Sequence, residues 1–105
     1  VLGGGPIGCE LSQSLARVGS QVTQVEMAPH VLGREDEDVS VLARSALEAD
    51  GVAVLTDHKA VRIEGKVLIA EHGGDEVRIP FDALIVAIGR KARLTGFGLE
   101  TIGVD

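Results

Sequence analysis

Aromatic side chains are nearly absent from this sequence: Phe81 and Phe97 are the only two, and there is no Trp or Tyr. Without them there is no platform on which nucleobases could stack. Basic residues are also in the minority, ten against sixteen acids, for a net charge of −6. No cationic face is therefore on offer to a phosphodiester backbone, and nucleic acid is excluded as a partner class. The single cysteine, Cys9, cannot form an internal disulfide, which fits a reducing, cytoplasmic setting. The longest uncharged apolar stretch, residues 83–89, falls far short of the ~20 residues that span a bilayer. No basic segment precedes an apolar run as a secretory signal would require, so no membrane association is expected. A length of 105 residues accommodates one small domain and excludes a multidomain enzyme within this chain.

Glycine is abundant instead: 14 of 105 residues, about twice the ~7% average. The glycines fall at junctions between apolar runs rich in Val, Ile, Leu and Ala, as turns do in a domain of buried strands covered by helices. Val1-Leu2 reads as the end of a strand whose beginning lies outside the chain. Ile7, Leu11, Leu15 and Val18 recur at helical spacing and predict a helix over 7–18 that stops at Gly19. Residues 21–26 alternate as a strand. Asp36 or Asp38 is expected to cap a second helix, with Val39, Leu42, Ala43, Ala46 and Leu47 on its buried face. Residues 52–55 form a short apolar strand. Three alternating segments, 60–64, 66–71 and 76–80, predict an antiparallel meander. Residues 83–88 predict a strand buried on both faces, followed by a basic, Gly-rich tail over 90–98. Strands 22–25, 52–55 and 83–88 should lie in one sheet with Val1-Leu2, with 60–80 apart as a helix-free ribbon.

Gly3, Gly5 and Gly8 form G-x-G-x-x-G between the first strand and the first helix. The first glycine permits a tight turn and the second lets backbone approach a pyrophosphate. The third allows close helix–strand packing, and the helix N-terminus offers unpaired N–H groups to the anion. Glu26 lies 18 residues beyond Gly8, at the end of the second strand. A carboxylate there can accept hydrogen bonds from both ribose hydroxyls of an adenosine and repel a 2′-phosphate, which favours NAD over NADP. His30 and Arg34 do not follow that strand directly. The expected fold class is therefore α/β, a Rossmann-like three-layer βαβ dinucleotide-binding domain with an antiparallel meander. Glu10 is placed in the first helical turn, where an acid suits the helix dipole. Cys9 is expected to be a small buried residue. His30, His58 and His72 are scattered and give no zinc spacing.

The segment from Gly3 through Pro6 and Ile7 to Gly8-Cys9-Glu10 resembles the G-x-G-x-x-G-x-E fingerprint of the flavin-dependent pyridine nucleotide–disulfide oxidoreductases. Residues 22–29 are similar to that family's second strand. Residues 83–90 are similar to the strand leaving its NAD domain, and 98–103 to the segment that follows. The closest flavour is the dihydrolipoamide-dehydrogenase-like or mercuric-reductase-like branch. The resemblance implies that residues 1–105 are the NAD-binding domain of a longer chain, joined to an FAD domain and a dimerisation domain in a homodimer. It implies hydride passage from NADH to FAD, and then to a cysteine pair that this chain does not contain. It places Glu10 near the nicotinamide–flavin junction, Ile7 against the nicotinamide, and the backbone of Ala60 and Gly89 along the dinucleotide. Pro6 stands where some members carry a gating aromatic, and Arg93 where Asn is usual. Two other readings share parts of the pattern. A non-catalytic NAD(H)-sensing module would need the same loop, though not the meander. A methyltransferase would share the early glycines and the strand-end acid, but would not need Gly8.

Overall fold

The protein was analysed as a computed structural model, which describes residues 1–104. The chain runs α1 (Pro6–Arg17), β1 (Thr23–Val25), α2 (Glu37–Ala49), β2 (Ala53–Leu55), then β3 (Lys59–Glu64), β4 (Val67–His72) and β5 (Asp75–Pro80), with a closing 3₁₀ turn at Leu99–Ile102. β1 pairs in parallel with β2, Thr23 opposite Ala53 and Val25 opposite Leu55. Leu2 bridges in parallel to Val25 and to Val86. Hydrogen bonds thus run across β2, β1, Leu2 and Val86 in that order, the adjacency expected from the apolar runs. Parallel neighbours cannot be joined by a tight turn, and α1 and α2 supply the two crossovers. The helices share a groove lined by Cys9, Glu10, Gln13, Ala43, Ala46 and Leu47, so they cover the same face of the sheet. Val22, Val52 and Val54 from the sheet side, Leu47 from α2 and Val31 from the intervening loop form the core, with Cys9, Leu15, Ala16 and Ala43 packed against it.

The helices bury the faces that their periodicity predicts only in part: Leu47 is buried and Leu15 and Ala43 pack against the core, but other expected positions are not. In α1 the buried residues are Gly8 and Ser12, while Ile7, Leu11 and Val18 are exposed, Val18 at 79%. Gly8 approaches the Gly3 carbonyl so closely that a Cβ there would collide with it. The contact between helix and sheet therefore selects small residues. Moving the inward face from 7/11 to 8/12 rotates the helix by about 100°. α2 behaves similarly: Ser40 and Leu47 are buried, whereas Val39 and Leu42 are exposed. The Ser40 hydroxyl donates to the Leu32 carbonyl at 3.2 Å, which turns the start of α2 toward that loop. Asp36 is the N-cap residue but makes no side-chain cap bond; Glu37 and Asp38 lie in the first turn, where acids oppose the helix dipole favourably.

The segment 83–88 departs from expectation most. It pairs with the chain start through Leu2 N–H to the Ile85 carbonyl (2.8 Å) and Ala87 N–H to the Leu2 carbonyl (2.7 Å). It forms only the one bridge, however, and Val86 and Ile88 are exposed, Ile88 at 71%. Its neighbour in the sheet is two residues long and no described element covers its outer side, so an apolar run here is not a buried strand.

The meander follows its pattern. β3 pairs with β4 and β4 with β5, all antiparallel, and no helix interrupts 59–80. The register sets Arg62 and Arg78 on either side of Ile69, which is fully buried. Glu64 and Glu76 link the two arginines by ion pairs of 2.6–3.9 Å, forming a charged cover over the central strand. Among the described residues, no helix is long and apolar enough to cross a membrane.

Candidate functional site

The loop between Leu2 and α1 is held from beneath through the Gly3 N–H and the Gly3 and Gly4 carbonyls. Gly3 N–H donates to the Val25 carbonyl at 2.8 Å, and the Gly3 carbonyl accepts from Gln24 Nε2 at 3.1 Å. The Gly4 carbonyl accepts from Leu32 N–H at 2.7 Å and from the Cys9 thiol at 3.5 Å. Gly3 adopts φ +121°, a backbone region closed to residues bearing Cβ. A Cβ at Gly3 would also strike the Ala87 carbonyl. These contacts turn the loop's carbonyls inward.

The amide groups are left facing outward. Among the described residues, the N–H groups of Gly4 and Gly5 donate to no acceptor in the chain. α1 starts at Pro6, which has no N–H, and its first regular bond runs from Cys9 N–H to the Gly5 carbonyl at 2.9 Å. Helix geometry leaves the Ile7 and Gly8 amides without intrahelical partners. Around Gly5 no heavy atom comes within 4 Å of the position a Cβ would occupy. The result is an open cradle of N–H donors at the positive end of a helix dipole, the arrangement that accommodates an anion.

Glu26 follows β1 directly and flanks this cradle. Its N–H donates to the Leu55 carbonyl at 2.8 Å, and its carbonyl accepts from His58 N–H at 3.0 Å. Its carboxylate accepts from Met27 N–H at 3.1 Å. A Cβ at Gly4 would sit 2.9 Å from Glu26 Cγ, so the lack of a side chain at Gly4 lets the acid lie alongside. The backbone fixes Glu26 from both sides, leaving the carboxylate half-buried at the loop's edge.

Pro6, Ile7 and Glu10 are exposed on the outer side of α1. Glu10 is the fifth residue of a helix whose first turn has no acid, so it lies beyond the position expected for a dipole partner. Gly89 is exposed with φ +153°, two residues past Ala87, whose carbonyl abuts Gly3. Ala60 lies in β3 opposite Ala70, two residues beyond His58. Gly3, Gly5, Gly8 and Glu26 are thus brought together, and Ala60 stands apart from them, its strand joined to the Glu26 segment by the bonds from His58 N–H to Glu26 and from Asp57 N–H to Ala28. Burial pushes the Cys9 thiol up, with the Glu26 charge adding in the same direction and the Gln24 bond opposing; it remains a neutral donor at physiological pH.

Two features were missed by sequence reasoning. Gln24 lies fully buried under the loop; its signal was a long amide at an inward position of an apolar strand. His58 and His72, far apart in sequence, stack with centroids 4.2 Å apart. Each binds a backbone carbonyl through Nδ1, His58 that of Thr56 and His72 that of Asp57.

The pyridine nucleotide-disulphide oxidoreductase family matches the chain over residues 1–105. The chain belongs to this family. Curated relatives include the dihydrolipoyl dehydrogenase of Bacillus subtilis, 45% identical over 107 residues, and that of Thermus scotoductus, 43% identical over 110 residues. Those alignments cover 100% and 99% of this chain but only 23% and 24% of the relatives, so the chain spans about a quarter of their length. Among solved structures, the HOCl-induced flavoprotein disulfide reductase RclA of Escherichia coli, in a Cu(II) complex, superposes with TM-score 0.72 at 32% identity over 89% of this chain and 21% of its own. The Plasmodium falciparum NDH2 structure in complex with NADH matches at TM-score 0.78 and 16% identity, over 84% of this chain and 21% of that one, a likeness of fold alone. The α/β fold with one parallel and one antiparallel sheet is therefore that of a pyridine nucleotide–disulfide oxidoreductase domain.

Proposed function

We propose that this chain is the NAD(H)-binding domain of a flavin-dependent oxidoreductase of the dihydrolipoamide dehydrogenase or mercuric reductase type, presenting the nicotinamide to FAD. The observation that carries this reading is the open cradle of Gly4 and Gly5 amides with Glu26 at its edge. The shape fits a dinucleotide: space lies where a pyrophosphate would approach, donors face it, and an acid stands one residue past β1. In this reading Gly3 and Gly8 shape the turn, Gly5 leaves room for the phosphates, and Glu26 accepts from the adenosine ribose. Ile7 offers an apolar surface to the nicotinamide ring, with Pro6 and Glu10 bordering it, while the backbone at Ala60 and Gly89 lines the remaining path. When bound, the nicotinamide supplies a hydride for a flavin. This chain's own part is to orient the dinucleotide and, through Glu26, to select against a 2′-phosphate. FAD, held mainly outside residues 1–105, the FAD and dimerisation domains, and a homodimeric parent are the partners this reading implies.

Fluorescence titration of the purified chain with NADH and NADPH tests it. Saturable NADH binding, tighter than NADPH, is the expected result; tighter NADPH or no binding of either overturns it.

A further inference from the structure

Gln24 is out of place for stability alone. It occupies the middle of β1, fully buried, on the same side of the strand as the core residue Val22. Its side-chain Oε1 has no partner among the described residues, and a buried polar atom without a partner is destabilising. An apolar side chain at this position would pack against Cys9 and α1 without leaving an oxygen unpaired. What the amide does instead is reach the glycine loop. Nε2 donates to the Gly3 carbonyl at 3.1 Å and to the Cys9 sulfur at 3.4 Å. The amide cannot be turned the other way, because the Gly3 carbonyl only accepts. Cys9 in turn donates to the Gly4 carbonyl at 3.5 Å. Gln24 therefore holds the Gly3 carbonyl directly and, through the thiol, supplements the Leu32 N–H that holds the Gly4 carbonyl at 2.7 Å. With both carbonyls fixed inward, the peptide planes that follow present the Gly4 and Gly5 N–H groups to the cradle.

We propose that Gln24, acting through Cys9, is a positioning residue that sets the amide directions of the dinucleotide loop and so its affinity for a pyrophosphate. The proposal rests on the NAD(H) reading of this site for its ligand, and on the loop geometry for its mechanism. Without Gln24 the Gly3 carbonyl is buried and unpaired, and the loop relaxes to find another donor. The effect is confined to the phosphate-binding portion, since Glu26 is held independently by Leu55 and His58.

Gln24→Met keeps length and packing while removing the donor. In the purified chain it should weaken NADH and ADP-ribose about ten-fold, equivalent to about 1.4 kcal/mol, and leave adenosine binding unchanged. The Gly4 and Gly5 amide resonances should shift or broaden in the absence of any ligand. Cys9→Ala removes only the second link and should give a smaller loss of the same pattern, which keeps the test open if Gln24→Met does not fold. Val22→Ala, a core change away from the loop, should lower the melting temperature without altering NADH affinity. Unchanged NADH affinity and unchanged Gly4 and Gly5 resonances in Gln24→Met overturn the proposal, as does equal weakening of adenosine. If the unsubstituted chain binds neither NADH nor ADP-ribose, the dinucleotide reading fails. The glycine resonances then decide separately whether Gln24 sets the loop: altered in Gln24→Met they uphold that role, unaltered they end it.

Discussion

At the scale of single residues, the cradle separates groups that shape it from groups that would meet a ligand. Gly3 and Gly8 have backbone atoms immediately against them, whereas Gly5 has open space. A side chain at Gly5 therefore has room in the unliganded protein and conflicts only with what enters. Gly5→Val should leave the melting temperature within a few degrees and abolish NADH binding; normal binding by this variant would mean the cradle has been misplaced. In the proposed complex Glu26 would make the opposite kind of contribution, an attraction. A hydrogen bond to a charged group is worth about 1.5–3 kcal/mol, so Glu26→Ala should weaken NADH roughly ten-fold or more. The same variant should narrow the preference against NADPH, since the repelling charge is gone. Titration of both nucleotides reads both effects, and a Glu26→Ala chain that discriminates as well as the parent would remove the acid from the argument. The placement of both residues at the loop was legible in the sequence, because spacing and glycine chemistry act locally. Gln24 was not: a polar residue on a strand says nothing of its neighbours until α1 is docked over it.

At the scale of elements, alternation was a reliable guide to the meander, and helical periodicity found both helices but only part of their inward faces. The meander has few ways to satisfy three alternating segments separated by Gly65 and Gly73-Gly74, and its observed strands begin and end within two residues of those expected. α1 had an apolar stripe on one side and a small-residue stripe on the other. The distance of approach to the Gly3 carbonyl decided which faced inward, and that distance is a tertiary quantity. The meander also carries a titratable feature. The Arg62 and Arg78 guanidinium groups beside Glu64 hold its carboxyl below the usual range. A carboxyl depressed in the folded state adds stability above its unfolded pKa, and that increment is lost as pH falls through the folded value. All four groups are exposed, so salt screens the effect and its size is modest. Thermal melts of the chain should accordingly show a steeper loss of stability on acidification below about pH 4.5 than melts of Glu64→Gln. Superimposable acid limbs for the two proteins would show that the lattice over Ile69 is not linked to folding.

At the scale of the whole molecule, the chain is extended for its size. Its radius of gyration is 16.5 Å and its longest dimension 51 Å, against about 13 Å for the radius of a compact domain of 100 residues. Ile7, Val86, Ile88, Leu94 and Phe97 all stay exposed. In the proposed reading the cradle is one-walled: Ile7, itself exposed, backs the nicotinamide. Hydride transfer requires donor and acceptor carbons held about 3–3.5 Å apart, which needs walls on both. In the proposed reaction the acceptor chemistry, moreover, would belong to a flavin, with the protein supplying only position, and a chain with one cysteine has no dithiol to receive the electrons afterwards. The purified 105-residue chain is therefore expected to bind NADH yet catalyse no oxidation of it. It should leave gel filtration colourless after incubation with FAD. With NADH, FAD and a disulfide acceptor supplied together, it should match the rate of free flavin alone. Flavin retained near one per chain, or turnover above that background, would show that residues 1–105 hold a complete redox site and that the one-walled cradle is closed in solution.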